Sequence, residues 1–314
     1  MAQPSKPPLA FIGCDVAKAM IVVCDSRDGK TRAIPNRAAD LATFAAGLDP
    51  SCLVVCEATG GYEGELLAAM ALAGVPAHRA DARRVKAFIR SFGTLGKTDS
   101  IDARALVRYG QERHCGLARW QPRETCRVEL QALVLTRKDL VASRVAYANR
   151  RAAPGGEAVQ PFLDKLLVAL DTEIAAIEAA VKRLLHTHAA LREDVDTLCT
   201  IVSIATITAS SLLALMPELG TLDRRQAAAL GALAPHPNQS GNTEKYRWTQ
   251  GGRREIRRVL FMAALSASRY HPTLSLFYQR LIANGKPKLV ALTAVMRKLL
   301  IICNAVLRKE VVAV

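Results

Sequence analysis

Aromatic residues are scarce in this chain: Phe, Trp and Tyr together make up only 5% of its 314 residues. Half of the residues are nevertheless hydrophobic and 23% are charged, which excludes a globally disordered chain and predicts mainly aliphatic cores. At about 100–200 residues per domain, this length predicts two domains with a connector between them.

Paired cysteine motifs are also missing. The chain has eight cysteines but no Cys-x-x-Cys pair, which argues against a zinc site or a disulfide framework. Most of the cysteines lie in apolar surroundings, so we predict buried free thiols in a reducing compartment. The first residues, Met1–Pro8, are polar and contain prolines, so no signal peptide is expected.

Long uncharged runs are rare as well. Leu198–Met216 is the longest segment that raises the question of a membrane span, and it is rich in Ser and Thr. Its length is marginal for a bilayer and no clear second span accompanies it. We therefore predict a protein without a membrane-spanning segment.

Acidic residues are nearly absent from the last third of the chain. Residues 224–309 contain sixteen lysines and arginines but only Glu244 and Glu255, a net charge of +14 out of +15 for the whole chain. A concentrated positive field indicates a polyanionic partner, and nucleic acid is the usual one. An anionic membrane surface is the alternative.

Residues 1–122 alternate strand and helix patterns. Apolar runs bounded by turn residues predict strands at Leu9–Asp15, Met20–Cys24, Thr31–Ile34, Cys52–Cys56 and Val75–Arg79. Amphipathic segments predict helices at Ala38–Leu48, Glu63–Leu72, Ala82–Ser91 and a further one running to Tyr109. Three hairpin-linked strands followed by alternating helices and strands is the element order of an RNase H-like domain, a mixed sheet flanked by helices.

The rest of the chain reads as mainly helical, so the predicted fold class is α/β plus all-α. Residues 123–192 form a predicted helical connector, in which Glu124–Arg151 is a helix. Heptad spacing of Leu163, Leu167, Leu170, Ile174, Ile177, Val181 and Leu184 is typical of a coiled coil, or else of an ordinary packed helix. Either structure would serve as a spacer or an oligomer contact.

Residues 193–314 form the predicted C-terminal basic domain. We predict helices at Asp223–Leu230, Arg253–Arg269 and Lys288–Arg308, and a loop at Ala234–Asn242 because of its Pro, Asn and Gly content. The basic residues of the second helix share one side at helical spacing: Arg253, Arg254, Arg257 and Arg258.

Four acidic residues stand at places where chemistry is expected. Asp15 follows the first strand and Glu57 follows a central strand, and a sheet with the first strand in its middle can bring them together beyond the strand ends. Asp99 and Asp102, three residues apart, share one face of a helix. Their hard oxygen ligands suit Mg²⁺. The alternative is structural, with Asp99 as a helix N-cap and Asp102 completing a variant capping box.

Three blocks of sequence contain these acids and resemble a known family. The blocks are Ile12–Lys18, Glu57–Glu63 and Lys97–Ala103. They are similar to the signature blocks of the DEDD transposases, the insertion-sequence family numbered one hundred and ten, which includes the Piv-type DNA invertases. Four further segments resemble the C-terminal transposase domain of that family: Gly231–Pro235, Gln239–Gly241, Gly251–Arg254 and Ile256–Leu260.

The resemblance implies a RuvC-like domain in which Asp15, Glu57, Asp99 and Asp102 bind Mg²⁺. It also implies that Ser240 is the nucleophile of a transient phosphoserine link to DNA. By itself, Ser240 is only a turn serine before a glycine. A serine hydroxyl is a weak nucleophile until it is activated, and magnesium held by the acids could activate it.

Partners follow from the same resemblance and from the charge. We expect donor and target DNA, and the family implies a structured guide RNA. The predicted nucleic-acid contacts are Lys245, Arg247, Arg253, Arg254, Arg257 and Arg258. A homo-oligomer, either a dimer or a tetramer, is expected because a long helix separates Ser240 from the acids. The expected location is the bacterial cytoplasm, in association with the nucleoid.

The chain departs from the family at Ile201–Ala205, where a Pro-Gly-x-Gly hairpin is common. Glycine permits tight turns and close approach to phosphate, so a hairpin-type DNA contact is in question there. Three functions remain open at this point. They are a recombinase with a covalent serine step, a hydrolytic nuclease of the junction-resolving type, and a nucleic-acid-binding protein without catalysis.

Overall fold

The computed structural model describes residues 8–93, 98–240 and 243–308, with the backbone alone described at 238–240 and 243–247. The chain divides into two compact units, Met1–Arg123 and Glu124–Val314. The predicted boundary between residues 192 and 193 falls inside a helix of the second unit, Ala189–Cys199. The division into three domains therefore stays a prediction.

The first unit contains a mixed five-stranded sheet of order β3-β2-β1-β4-β5. The strands are β1 (Ala10–Val16), β2 (Met20–Asp25), β3 (Thr31–Pro35), β4 (Cys52–Glu57) and β5 (Ala77–Ala80). β1 pairs antiparallel with β2 and parallel with β4, so the predicted mixed sheet is confirmed, with its first strand in the middle. β1 and β4 are buried because apolar residues occupy both of their faces.

Helices cover both faces of this sheet. The helices of the first unit are α1 (Ala38–Ala46), α2 (Gly64–Leu72), α3 (Ala82–Arg90) and α4 (Asp99–Arg113). On one face, Leu41 of α1 and Met70 of α2 pack with Ile12, Cys14 and Cys56 in one apolar core. On the other face, the α3 and α4 side chains form a second core with two residues of β4: Val85, Phe88, Leu106, Leu53 and Val55.

Helices dominate the second unit. They are α5 (Thr125–Ala152), α6 (Gln160–Thr187), α7 (Ala189–Cys199), α8 (Thr206–Leu215), α9 (Arg224–Leu230), α10 (Arg254–Tyr270), α11 (Pro272–Ala283) and α12 (Lys288–Val306). Apolar side chains from α7, α8, α10 and α12 share one large core that includes Leu198, Leu212, Leu260 and Leu299. This part of the chain is helical as predicted, although α7, α8 and α11 were not among the predicted helices.

The first two helices of this unit lie antiparallel. Three ion pairs join them at seven-residue intervals on both helices: Arg137 with Glu178, Arg144 with Asp171, and Arg151 with Asp164. Among the heptad residues of α6, Leu163, Val181 and Leu184 are buried and the other four are half-buried. The heptad therefore faces a neighbouring helix, and a coiled coil between subunits stays a prediction.

The loop predicted at Ala234–Asn242 is wrong. Two antiparallel strands, β6 (Pro235–Ser240) and β7 (Thr243–Thr249), form a hairpin there, and residues 241 and 242 lie outside the described residues. Each strand of a two-stranded sheet has an outer edge that pairs with no further strand. A proline, which lacks a backbone N–H, is tolerated at such an edge. The register shifts between His236 and Asn238, so Pro237 sits at a bulge, where a missing N–H is tolerated.

Within the described residues, α12 is the one helix long and apolar enough to cross a membrane. Eight of its residues, from Ala291 to Asn304, are buried within the second unit, which is typical of a core helix. The segment Leu198–Met216, considered above, is broken into the end of α7, a turn and the short helix α8.

All eight cysteines are free, and five of them are buried. Cys14 and Cys56 face each other across β1 and β4. Burial raises the pKa of the Cys14 thiol well above its ordinary value, and burial followed by the charge of Glu63 raises the pKa of Cys56 to about 12. Both groups are therefore neutral thiols at neutral pH, in agreement with their predicted role as core residues.

Candidate active site and nucleic-acid interface

The register of β1 and β4 places Asp15 beside Glu57. Cys14 is paired with Cys56 in this parallel ladder, and the two acids each follow one residue later. Because side chains alternate along a strand, both carboxylates point to the face opposite the two cysteines, the same face as Gly13. The sheet thus presents two acids side by side on one face, at the carboxyl ends of two central strands.

Helix α4 lies directly on that face because of Gly13. A Cβ atom at this position would lie 2.1 Å from the carbonyl oxygen of Ala103 and 2.8 Å from the backbone nitrogen of Val107. A Cβ on Gly110, two turns further along the helix, would lie 2.9 Å from the ring of Phe11. α4 therefore runs opposite to β1, and its first turn extends towards the Asp15 end of the strand.

The first turn of α4 carries Asp99 and Asp102. The N-cap is Thr98, whose Oγ1 accepts a hydrogen bond from the backbone N–H of Ile101 at 3.3 Å. The alternative in which Asp99 caps the helix is therefore wrong. Asp99 is the first helical residue and is exposed, whereas Asp102 is half-buried. Carboxylates in a first turn also stabilise the helix through its dipole, so they have a structural effect in addition to any chemistry.

The side chains of the four acids do not converge in this structure. Among the residues that it describes, no three His, Cys, Asp or Glu side chains form a group that could hold a metal ion. The donor type fits a hard divalent cation, because carboxylate oxygens are the ligands that Mg²⁺ takes. The metal site formed by these four acids stays a prediction.

Glu63 is a functional candidate that the sequence did not single out. It is 2% exposed and accepts hydrogen bonds from the backbone N–H of Gly61 at 2.9 Å and from the N–H and hydroxyl of Thr59 at 3.1 Å. Its other oxygen accepts from the guanidinium of Arg79 on β5, with Nε at 2.7 Å and Nη2 at 2.6 Å. Glu63 therefore fixes the loop that follows Glu57.

The charge of Glu63 is stabilised by these contacts. Burial alone would raise its pKa, but the backbone hydrogen bonds and the Arg79 guanidinium outweigh it, so the pKa of Glu63 lies below its ordinary value. Asn36 adds two hydrogen bonds, in which its Nδ2 donates to the carbonyl oxygens of Ala17 at 2.9 Å and Tyr62 at 3.1 Å. The loops that follow Asp15 and Glu57 are thus joined to each other.

In the second unit, Ser240 is the last residue of β6. It pairs with Thr243 across the hairpin, so it lies at the end of the ladder next to the turn. Lys245 and Arg247 are on β7, and Lys245 pairs with Asn238. The side chains of these residues lie outside the described part of the structure, so their predicted roles are not tested by it.

The arginines before and within α10 differ in their surroundings. Arg253, the N-cap residue, makes two charged hydrogen bonds to Glu218 at 2.6 and 2.7 Å and donates to the carbonyl oxygen of Leu215. Arg257 donates from Nη1 to the hydroxyl of Thr249 at 3.0 Å and so fastens the base of the hairpin. The remaining two of the four, Arg254 and Arg258, are exposed. They are accessible to a phosphate backbone.

The turn between α7 and α8 forms even though the family glycines are absent. Ser203 adopts a φ of +81°, the left-handed conformation that glycine takes most readily. Its hydroxyl is buried and meets no hydrogen-bond partner among the described residues. The absence of the family's glycines at Ile201–Ala205 therefore introduces local backbone strain at Ser203.

Comparisons with known proteins match most of the chain. A transposase family model matches residues 12–153, and a model described as the IS116/IS110/IS902 transposase family matches residues 195–279. A pilin gene-inverting protein of Moraxella lacunata is 30% identical over 231 residues, which cover 72% of this chain and 70% of the relative. The pilin gene-inverting protein of Moraxella bovis matches to the same extent.

The chain belongs to the IS110 family of DEDD transposases. It is therefore a DNA transposase or recombinase, and DNA is its partner. Membership also implies a divalent metal ion as the class of cofactor. The third function considered above, nucleic-acid binding without catalysis, is the one that the family excludes for this transposase.

Proposed function

We propose that this transposase breaks and rejoins DNA strands with Mg²⁺ held in a RuvC-like domain and with Ser240 as the nucleophile. The observation that carries the proposal is the contact at Gly13. It brings the first turn of α4, with Asp99 and Asp102, towards the end of the sheet face that presents Asp15 and Glu57. The RNase H-like, RuvC-like assignment is supported by the strand order, in which β1 is central.

The chemistry is a pair of phosphoryl transfers. The hydroxyl oxygen of Ser240 attacks a backbone phosphorus, the bond from phosphorus to one sugar oxygen breaks, and that oxygen leaves as a hydroxyl with the proton lost by the serine. A hydroxyl of a second DNA strand then attacks the phosphoserine, and the serine regains its proton. Bound Mg²⁺ would stabilise charge on the attacking and leaving oxygens. Each phosphodiester bond that is broken is replaced, so no energy source is required.

The position of Ser240 supports this role. A nucleophile has to reach a phosphate in a bulky duplex, and the end of a hairpin next to its turn is such a place. Residues 224–309 of the same unit have a net charge of +14, and Arg254 and Arg258 are exposed there. We propose that these arginines, together with Lys245, Arg247, Arg253 and Arg257, contact the nucleic acid.

The remaining parts of the proposal come from the family and the heptad. They are a structured guide RNA that pairs with donor and target DNA, a homo-oligomer built with α6 as a coiled-coil contact, and a location in the bacterial cytoplasm with the nucleoid. The three domains, residues 1–122, 123–192 and 193–314, are proposed as functional divisions of the two compact units.

The covalent step is tested by trapping the reaction with denaturant and looking for DNA attached to the protein. Wild-type protein should give an adduct whose linked peptide contains Ser240, and Ser240→Ala should give none while it still binds DNA. Thr243→Ala, at the same end of the hairpin, is the matched control and should retain the adduct. If Ser240→Ala recombines DNA at the normal rate, the serine mechanism is wrong and a hydrolytic mechanism replaces it.

The role of the oligomer is tested by mixing two inactive variants. Ser240→Ala and Asp102→Asn should each be inactive alone. Recombination by the mixture would show that the serine and the acids of one reaction come from different subunits. A mixture as inactive as its components would instead assign both groups to one chain.

A further inference from the structure

A cavity of about 530 Å³ lies at the base of the β6–β7 hairpin, between that hairpin and helices α10 and α12. Its walls are mainly apolar, with Leu289 and Val290 from α12. Two aromatic side chains line it, Trp248 with 56% of its surface exposed and Phe261 with 38%. Two exposed aromatic side chains that line one apolar cavity form a contiguous apolar surface, the kind that marks a binding site.

The charge of the cavity lining has one sign. Arg257, Arg258 and Arg297 line the cavity, and no acidic residue is among the described residues that do so. Of these, Arg257 also fastens the hairpin through Thr249. A hydrophobic peptide or a lipid chain would use the apolar walls but not the three guanidinium groups. A nucleotide uses both, because its base is a flat ring with apolar faces and its phosphate is an anion.

We propose that this cavity binds one unstacked nucleobase of the DNA strand, held against Trp248 and Phe261, with a flanking phosphate on Arg258 and Arg297. The volume lies within the range of small-molecule pockets and admits a base with its sugar. Ser240 is five residues along β6 from Pro235, which lines the cavity, so it lies roughly 17 Å along the strand at about 3.3 Å per residue. A strand anchored in the cavity would thus pass near the end of the hairpin.

This inference rests on DNA being the substrate of the transposase and requires neither the serine step nor the metal. The chain has two tryptophans, and the other is Trp120 in the first unit. In full-length Trp120→Phe protein, fluorescence therefore reports on Trp248 alone. Titration with a short single-stranded DNA should quench this emission, and an otherwise identical strand with an abasic site at the bound position should quench it less.

Substitutions inside and outside the cavity test whether single-stranded DNA binds there. Phe261→Ala should weaken single-strand binding by roughly five- to a hundredfold, the range found for loss of one stacked base. Tyr270→Ala removes another exposed aromatic of α10 that does not line the cavity, and it should bind as the parent does. Ser240→Ala should show the same quenching as its parent, so a failed serine mechanism leaves this test intact.

Three results would overturn the proposal. One is quenching by blunt duplex DNA as strong as that by single strands, because a paired base cannot enter the cavity. Another is an equal loss of binding in Phe261→Ala and Tyr270→Ala. The last is quenching by single-stranded RNA at lower concentration than by DNA of the same sequence, which would assign the cavity to RNA.

Discussion

The two units place their proposed reactive groups in different ways. In the first, the acids are set by a five-stranded sheet and by a helix pressed on it at Gly13, so many contacts determine their backbone positions. In the second, Ser240 is at the end of a two-stranded hairpin. An isolated hairpin is marginally stable, and this one is fastened at its base by Arg257 and Thr249. In the proposed mechanism, the acids assigned to one metal ion thus lie on a rigid scaffold, whereas the proposed nucleophile is carried by a local element.

The largest effect is expected from Gly13→Ala in the rigid unit. The added Cβ would overlap the backbone of α4, so the helix and its two aspartates must move. A displacement of about 1 Å in an active site can lower the rate by about a hundredfold. Overpacking should also lower the free energy of unfolding by about 1–3 kcal/mol.

The control for this variant is Gly116→Ala, where the added methyl meets open space and φ is not positive. Strand-cleavage rates and thermal unfolding of both proteins measure the difference. Normal cleavage by Gly13→Ala would show that the position of α4 is not critical. It would contradict the expectation that the acids of the first unit depend on a rigid scaffold.

Glu63→Gln tests whether the loop after Glu57 is held by charge. Removing the charged acceptor leaves Arg79 without its partner and weakens the bonds from Thr59 and Gly61. We expect a loss of about 2 kcal/mol in the free energy of unfolding at pH 7, discounted because Arg79 is partly exposed. Cleavage should fall as well, since the loop positions Glu57.

The pH dependence of this effect has a definite sign. The pKa of Glu63 is lowered in the folded state, so its contribution is fully present above the unfolded pKa of about 4.3. The contribution is lost as pH falls through the lower, folded-state pKa. Denaturant unfolding from pH 7 to pH 3 should therefore show the wild type and Glu63→Gln converging at the acidic end. A difference that grows on acidification would contradict this account.

The turn at Ser203 offers a stabilising change in the second unit. Ser203→Gly relieves the left-handed backbone and removes a buried hydroxyl that lacks a partner among the described residues, and should stabilise the protein by about 1–2 kcal/mol. Ser203→Ala removes the hydroxyl but keeps the Cβ, so it separates the two causes. Equal melting temperatures for wild type and Ser203→Gly would mean that the turn is not strained.

The smallest effects separate two arginines at the start of α10. Arg253→Ala should lower the free energy of unfolding by about 1 kcal/mol, because its half-exposed ion pair with Glu218 is lost. Arg258→Ala should leave stability unchanged but reduce the slope of DNA affinity against salt by about one. The measurements are thermal unfolding and binding at several salt concentrations. A reversed pattern would mean that Arg258 supports the fold and that Arg253 makes the stronger phosphate contact of the two.

The sequence predicted the first unit better than the second for a physical reason. Buried strands such as Cys52–Glu57 are continuous apolar runs, and their pattern is visible without tertiary information. The β6–β7 hairpin contains Pro235 and Pro237, which indicate a loop unless the strand has a free edge or a bulge. Such an edge is a property of the folded sheet.

The candidate site could also be predicted only in part from the sequence. Alternation and strand order could place Asp15 and Glu57 on one face, and helical spacing could place Asp99 with Asp102. The part played by Glu63 depends on Arg79, sixteen residues away on another strand, and no local pattern reveals that contact. Convergence of the four carboxylates depends on side-chain orientation, which sequence spacing does not determine.

We propose that Asp15, Glu57, Asp99 and Asp102 together hold a divalent metal ion. The most direct measurement is a crystal structure of the full chain grown with Mn²⁺, with the ion located by its anomalous scattering. We expect a peak within about 2.0–2.4 Å of oxygens from both the sheet pair, Asp15 and Glu57, and the α4 pair, Asp99 and Asp102. Asp102→Asn should weaken the peak, whereas Glu112→Gln at the other end of α4 should not. A peak that contacts only one pair, or no peak at this face at millimolar Mn²⁺, would contradict the claim.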